Sequence, residues 1–544
     1  MAPSRRVRLL LSTAVVAVPL ARAAKIQKDG LSLPDSASDN RQLVKEVFLD
    51  AYNAYKDHAW NHDDLAPVSA GFKDTRNGWG SSVFDALGTL KIMGEDDLFR
   101  EAIEYAGKVD FSHSNTPDHV SFFESTIRYL GGMLTAFDLN GQSDAGLLAN
   151  AQKLGDKLLF GWPSGYKTPV GSIDFSNNTP DVGDGGPNGL AAAASNILEF
   201  YKLSQYTGNK TYLDMADMTM RVIATNPNPV FPGLPPLQVN KDGSGAGSTV
   251  NWDGGYDSYL EYLIKYAQLT NFEDPLWTQA WTDAVDSSIK NLVKQSAGGQ
   301  YFLTSYDSDK GSSYSMGDLA CFAGGNWIMG GRLLDREDFV EWGLKITDAC
   351  MSTYQTPTGL GPGAWAFKGA DGGGNDPPAD QKDFFDKTGF YITSADYNVR
   401  PEVFESAFYA WRATGDEKYY NFAADGIRAM KKYMKSNVGY APLKDVMRDE
   451  VTVDNQGDDL ESFFFAEVMK YLYLTFDDPE HISLDKWVFN TESKSTLLRF
   501  KSCSHSSRPP APSRQWDVNG ATTSSNDSSP HGNGLCSRPY RDRC

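Results

Sequence analysis

The sequence predicts an all-α ring of helical hairpins, an α/α toroid, and three observations predict it. The first is a repeating unit of two amphipathic helices joined by a turn. Three copies are plain: LEFYKLSQYTGNKTYLDMADMTMRVI from Leu198, LEYLIKYAQLTNFEDPLWTQAWTDAV from Leu260 and ESAFYAWRATGDEKYYNFAADGIRAM from Glu405. Weaker copies begin near Asp85, Glu124, Asp318 and Glu461, which brings the count to seven. The second is that strand-like alternation is scarce, so hairpins that each bury only one face must stack on one another. The third is that acids open the first helices, at Asp85, Glu124, Glu199, Asp257, Asp318, Glu402 and Glu467. One acidic start is ordinary pairing with the helix dipole. A ring brings all of them to one rim, where crowded like charges raise some pKa values and attract a cation.

Taken in order, residues 1–23 read as a secretory signal peptide. Arg5, Arg6 and Arg8 precede the apolar run from Leu9 to Leu20, and Ala21-Arg22-Ala23 supplies a small-x-small cleavage site. The run falls short of the ~20 residues that span a bilayer. The expectation is entry into the secretory pathway, with export or retention in the endoplasmic reticulum or Golgi lumen. Residues 24–42 form a polar, loose N-terminal segment. Helical periodicity then starts at Leu43 and runs to Trp60, and the loop from His58 to Gly80 is dense in His, Asp, Asn, Trp and Gly, as binding loops are. Glycine-rich loops follow at 181–189, 242–255 and 369–376. The middle one carries Asn251, Trp252 and Tyr256 and reads equally as a lid over a ligand or as a plain surface loop.

The densest stretch is Tyr397 to Arg412, YNVRPEVFESAFYAWR. Pro401 suits a first helical turn, which places Glu402 and Glu405 as an i, i+3 pair at the mouth of a helix with an aromatic body. Residues 493–544 turn Ser-, Pro- and Arg-rich without periodicity, and read as a disordered tail or a fault in the gene model.

A net charge of -19 and a pI near 4.8 exclude a polyanionic partner such as nucleic acid. Of the 5 cysteines, Cys321 and Cys350 lie in the body and form the natural pair in an oxidising lumen. Sequons at Asn177 and Asn209 suit N-glycosylation.

Seven ordered motifs carry a resemblance: HAWNHDDLAPVS at His58, FESTIRYLGGML at Phe123, DSYLEYLIK at Asp257, LACFAGGNWIMGG at Leu319, VRPEVFESAFYAWRATGD at Val399, ESFFFAEVMKYLYL at Glu461 and VFNTE at Val488. Over residues 43–492 the chain resembles the class I α-1,2-mannosidases, glycoside hydrolase family forty-seven, and especially their secreted fungal members. The resemblance implies an (α/α)7 barrel that acts as a monomer and removes terminal α-1,2-linked mannose from high-mannose N-linked oligosaccharides of glycoproteins, with inversion and a bound Ca2+. It implies Glu124 as general acid, Asp257 as a third carboxylate also proposed as an acid, and Glu402 as the base that activates water. Thr491 resembles the calcium-ligating threonine. Arg128, Arg400, Glu405, Phe463, Glu467, Glu492 and Asp318 match positions around the mannose pocket. Two carboxyl groups about 6.5–9.5 Å apart, with water between them, are what inversion needs.

The chain also departs from that pattern. Asp318 stands for a usual histidine, Gly363 for a glutamate, Gly88 for an aspartate and Asp64 for a glutamate. Gly255 stands where branch-restricted relatives have an arginine, which implies broader trimming. Asp318 and Gly363 support a competing reading, a catalytically weak protein that binds high-mannose glycans during degradation of misfolded glycoproteins. Intact Glu124, Asp257, Glu402 and Thr491 weigh against it.

Overall fold

The hairpins close into a double ring. The inner helices are Ser81–Ile92, Gly131–Leu139, Ile197–Thr207, Asp257–Leu269, Phe322–Leu333, Glu402–Thr414 and Met469–Thr475. The first six are each followed by an outer partner: Asp96–Ala106, Ala145–Leu158, Thr211–Ala224, Pro275–Asn291, Glu337–Ser352 and Glu417–Tyr433. The seventh outer place is filled by the N-terminal helix Ala37–Ala59, which packs on Met469–Thr475. The π-helical turn Phe464–Val468 packs on Ser81–Ile92 and closes the ring. This is the (α/α)7 barrel that the hairpin count implies. It is a computed structural model that describes residues 25–183 and 186–498, all within the compact unit Met1–Arg499. The signal peptide and residues 499–544 lie outside the described residues.

Sequence explains the two layers. Inner helix Asp257–Leu269 buries every residue from Ser258 to Leu269, because it meets neighbours on both sides and the barrel axis in front. Outer helix Glu417–Tyr433 buries Tyr419, Tyr420, Ala423, Ala424, Ile427 and Met430, one stripe at helical spacing, and leaves its charges to solvent. The hairpin turn between Glu402–Thr414 and its partner is set locally. Gly415 takes φ 66°, a left-handed conformation open to glycine, and Asp416 then caps the next helix by accepting the Lys418 N–H at 3.0 Å.

Four expectations are corrected. The N-terminal segment is docked rather than loose: Ile26 N–H donates to Asp485 at 2.7 Å, Gln27 is buried, and the first helix starts at Ala37 instead of Leu43. The body does not end at Glu492. Ser495–Leu497 pairs antiparallel with Trp487–Phe489, and this hairpin inserts among the inner helices, with Ser493, Lys494 and Ser495 buried. Among the described residues the barrel also carries seven small antiparallel sheets, whose strands of two to four residues are too short to show a period of two in sequence. Finally, Trp252 and Tyr256 are anchors, not a lid: both are fully buried, donating to Ser288 Oγ at 2.7 Å and to the Pro235 carbonyl at 2.6 Å.

Cys321 and Cys350 form the expected disulfide, tying the turn Leu319–Cys321 to the outer helix Glu337–Ser352. Closing a loop of 29 residues stabilises the fold by about 3–4 kcal/mol in the chain-entropy account. Replacing both cysteines with alanine should therefore lower the free energy of unfolding by about that amount, measured by denaturant titration, and an unchanged free energy would remove the disulfide from the stability of the body.

Candidate active site

The inserted C-terminal hairpin plugs the barrel, and above it lies a cavity of about 240 Å³. Its lining includes Glu124, Arg128, Asp257, Glu402, Glu405, Phe463, Glu467, Thr491, Glu492 and Arg400. All of these were expected from sequence, and residues up to 368 positions apart converge there. Asp318, also expected, sits beside the cavity wall at Leu319 rather than in the lining itself.

Two inner helices start with a π-helical turn. One is Ser125–Leu130, directly after Glu124; the other is Phe464–Val468, which carries Glu467. Such turns are uncommon and cluster at functional sites, since an extra residue in the turn re-aims the side chains at the helix mouth. The helix at Glu402 needs no such device, because Pro401 stands at its N-cap and Glu402 is its first residue.

The charges divide the acids into two sets. Burial alone would raise Glu124, but Arg128, whose Nε donates at 2.6 Å, and Arg76, at 3.5 Å, together hold it below the usual carboxylate range. Asp257 has no such partner. Burial pushes it up to about 7, against the Ser258 N–H that donates to it at 2.9 Å. Glu402 rises to about 8, because burial, with Asp318 and Asp257 nearby, outweighs Arg400. Burial likewise lifts Glu405 and Glu492 to about 8, and Glu467 well above its ordinary value. Asp318 rises to about 7 by burial, opposed by Arg400.

Phe463 presents an apolar face between two cations, with the Arg128 and Arg400 guanidinium carbons 5.7 and 5.1 Å from its ring centre. Arg128 thus keeps Glu124 ionised, whereas Arg400 does not hold Glu402 down, because desolvation is the larger effect there.

The seven acids expected on one rim also separate. Asp85 is turned to Lys494 at 2.7 Å and Arg128 at 3.2 Å, while Glu199 accepts from Asn490 at 2.7 Å and Tyr262 at 2.8 Å, so both serve the plug instead of the cavity. Sequence reading missed Arg76, Glu261 and Glu461 in the lining. The composition of the 58–80 loop pointed to binding, but nothing in it singled out Arg76. Asp63 organises that loop by accepting the N–H groups of Arg76, Gly78, Trp79, Gly80 and Ser81. Arg76 then reaches Asp64, Glu124 and Glu461.

At Gly363, a Cβ would lie 3.1 Å from the Asp396 carboxylate, so an acid from a neighbouring strand end occupies the space a side chain there would enter. Gly255 has φ 87°, a conformation in which an arginine would be strained. Asn177 is exposed and Asn209 half-buried, and neither is among the residues that line the cavity.

The profile of the family described as Glycosyl hydrolase family 47 matches residues 47–496. The chain belongs to that family. Its (α/α)7 architecture is shared with a solved relative, the alpha-1,2-mannosidase from Trichoderma reesei, at a TM-score of 0.81 and 33% identity, over 85% of this chain and 99% of that one. The mannosyl-oligosaccharide alpha-1,2-mannosidase of Penicillium citrinum is 38% identical over 488 residues, covering 85% of this chain and 92% of its own. The mannosyl-oligosaccharide alpha-1,2-mannosidase 1B of Aspergillus oryzae is 37% identical over 485 residues, covering 84% and 92%. The chain is thus a family 47 glycosyl hydrolase, and the carboxyl groups lining the cavity are of the kind that glycosidase chemistry uses.

Among the described residues, no three His, Cys, Asp or Glu side chains converge to chelate a metal directly. The floor nevertheless suits a hard cation. Thr491 offers oxygen donors there, and the buried Glu402 Oε2 and Glu492 Oε2 have no hydrogen-bond partner. That donor set fits an ion held by one threonine and by water bridged to carboxylates, a coordination calcium tolerates.

Proposed function

We propose that this enzyme is an inverting, calcium-dependent α-1,2-mannosidase that trims terminal mannose from high-mannose N-linked glycans. The observation that carries the reading is the blind cavity above the plug, in which Asp257, Glu402 and Thr491 meet. A cavity closed below by the Trp487–Leu497 hairpin admits a chain end and not a chain middle, which is the geometry of terminal trimming. Relatives named as mannosyl-oligosaccharide α-1,2-mannosidases supply the sugar and the linkage.

In this reading Glu402 takes a proton from the attacking water, and a carboxylic acid on the opposite side gives one to the leaving oxygen. Asp257 is the proton donor the site favours, since burial keeps it protonated to about 7 whereas two arginines hold Glu124 ionised. Phe463 offers a flat apolar surface to the sugar ring, and Arg128 orients Glu124 and Glu492. Thr491 would hold calcium. When bound, the ion supplies positive charge that favours the ionised forms of the surrounding glutamates and coordinates sugar hydroxyls. Gly255 leaves the mouth without a branch-restricting arginine, in keeping with broad trimming. The disulfide supports residence in the oxidising secretory pathway, and the enzyme acts there as a monomer.

Proton NMR of a high-mannose oligosaccharide with the purified protein tests this. β-Mannose is expected to appear before mutarotation, with calcium and not with chelator, and calcium is expected to raise the melting temperature of the chelated protein. α-Mannose as first product, or equal rates with chelator, would overturn inversion or calcium dependence respectively. Binding of the glycan without release would favour the lectin-like alternative.

A further inference from the structure

The residues just past the Thr491 tip do not trail away from the site; they turn back under it. Asn490 closes the turn, its Oδ1 accepting the N–H groups of Glu492 and Lys494, both at 2.8 Å, and its own N–H donating to the Lys494 carbonyl at 3.0 Å. Ser493 takes φ 51°, which reverses the chain and sends the Lys494 side chain inward. Lys494 is 1% exposed, and its Nζ donates to Asp85 Oδ1 at 2.7 Å and to the Phe84 carbonyl at 3.4 Å.

Asp85 is fully buried, and its other oxygen faces Arg128 Nη1 at 3.2 Å and accepts from the Ser462 hydroxyl. Arg128 is thereby shared among three carboxylates, and the sharing is uneven. It lies 2.6 Å from Glu124 and 2.8 Å from Glu492, both in the cavity lining, but 3.2 Å from Asp85 behind it. The distances make sense if Asp85 already has a cation of its own. The other nearby amine, Lys470, donates to the Ser493 carbonyl, and burial together with the charge of Lys494 drives it toward its neutral form, so beside Lys494 it offers Asp85 little charge.

Resting on the mannosidase reading, we infer that Lys494 is a positioning residue of the active site: by pairing with Asp85 it leaves the Arg128 guanidinium to Glu124 and Glu492, and it pins the turn that presents Thr491. Without it, the cation already in contact with the buried Asp85 carboxylate is Arg128, at 3.2 Å. The guanidinium is then drawn back from the cavity, because an unpaired buried charge takes whatever partner it can reach.

The test uses the full chain and two variants, Lys494→Met and the double variant Asp85→Asn with Lys494→Met. Lys494→Met is expected to lower kcat by about 10–100-fold at a temperature where it is fully folded, with a smaller change in KM, as for a misplaced reacting group. The double variant is expected to recover kcat to within about threefold of wild type, since removing the Asp85 charge releases Arg128. That recovery separates the charge argument from lost packing, because Asp85→Asn restores no side chain at 494. An unchanged kcat in folded Lys494→Met, or a folded double variant still at least about tenfold down, overturns the inference. If Lys494→Met does not fold, the double variant decides alone by the same threshold. Should the wild type release no mannose, it is the mannosidase reading that fails. The variants are then ranked by calorimetric affinity for α-1,2-linked mannobiose, where Lys494→Met weakest and the double variant restored is the supporting order, and equal affinities the opposing one.

Discussion

Glu402→Gln is expected to lower kcat by about 10²–10⁴, the usual contribution of a general base. Its melting temperature should stay at the wild-type value. The two expectations have one physical origin. Glu402 is buried at the first turn of its helix, desolvation favours its neutral form up to about 8, and its Oε2 has no partner. A neutral amide of the same shape therefore suits the folded protein, but it has no lone pair basic enough to take a proton from water. Mannose release followed by NMR, alongside thermal unfolding, reads both at once. Release at the wild-type rate would remove Glu402 from the role of base, and a large fall in melting temperature would show that the fold needs its charge.

Asp257→Asn is expected to lower kcat/KM by a similar factor of about 10²–10⁴ and to remove the alkaline limb of the pH profile. The sign follows from burial. Asp257 is lifted to about 7, so its proton-donating form is present below that pH and is lost as pH rises through it. With the bound cation favouring ionised Glu402 as the base, wild-type kcat/KM should fall above about pH 7 as Asp257 loses its proton, while the residual activity of Asp257→Asn should not fall there. Glu124→Gln is the control. Arg128 and Arg76 hold Glu124 below the ordinary range, so this substitution should leave the alkaline limb in place. A limb that survives Asp257→Asn and disappears in Glu124→Gln would make Glu124 the acid, as the family resemblance alone implies.

Most of the fold was legible because hairpin repeats are local. Thr-Gly and Thr-Asn breakers, aromatic stripes and the Pro401 start mark helices within a few residues of one another, and stacking of one-faced hairpins leaves a ring as their packing solution. What stayed hidden was long-range. The outer partner of Met469–Thr475 is the N-terminal helix Ala37–Ala59, a pairing of chain ends that no local pattern encodes. Residues 493–498 read as the start of a tail because strands of three residues have no visible period, yet they complete the plug. Arg76 was hidden in a loop whose shape depends on one buried aspartate, Asp63, gathering five backbone N–H groups.

By itself, then, the sequence determined the helical class, the number of inner helices, the disulfide and the residue types of the site, including Glu124, Asp257, Glu402 and Thr491. These follow from periodicity, turn chemistry and motif, all of which are written within short windows. Only the tertiary structure decided which acids share the cavity and which serve the plug, and which of them stay protonated. Proton affinity depends on burial and on the nearest cation, and Arg128, Arg76 and Lys494 reach the acids they govern from distant parts of the chain.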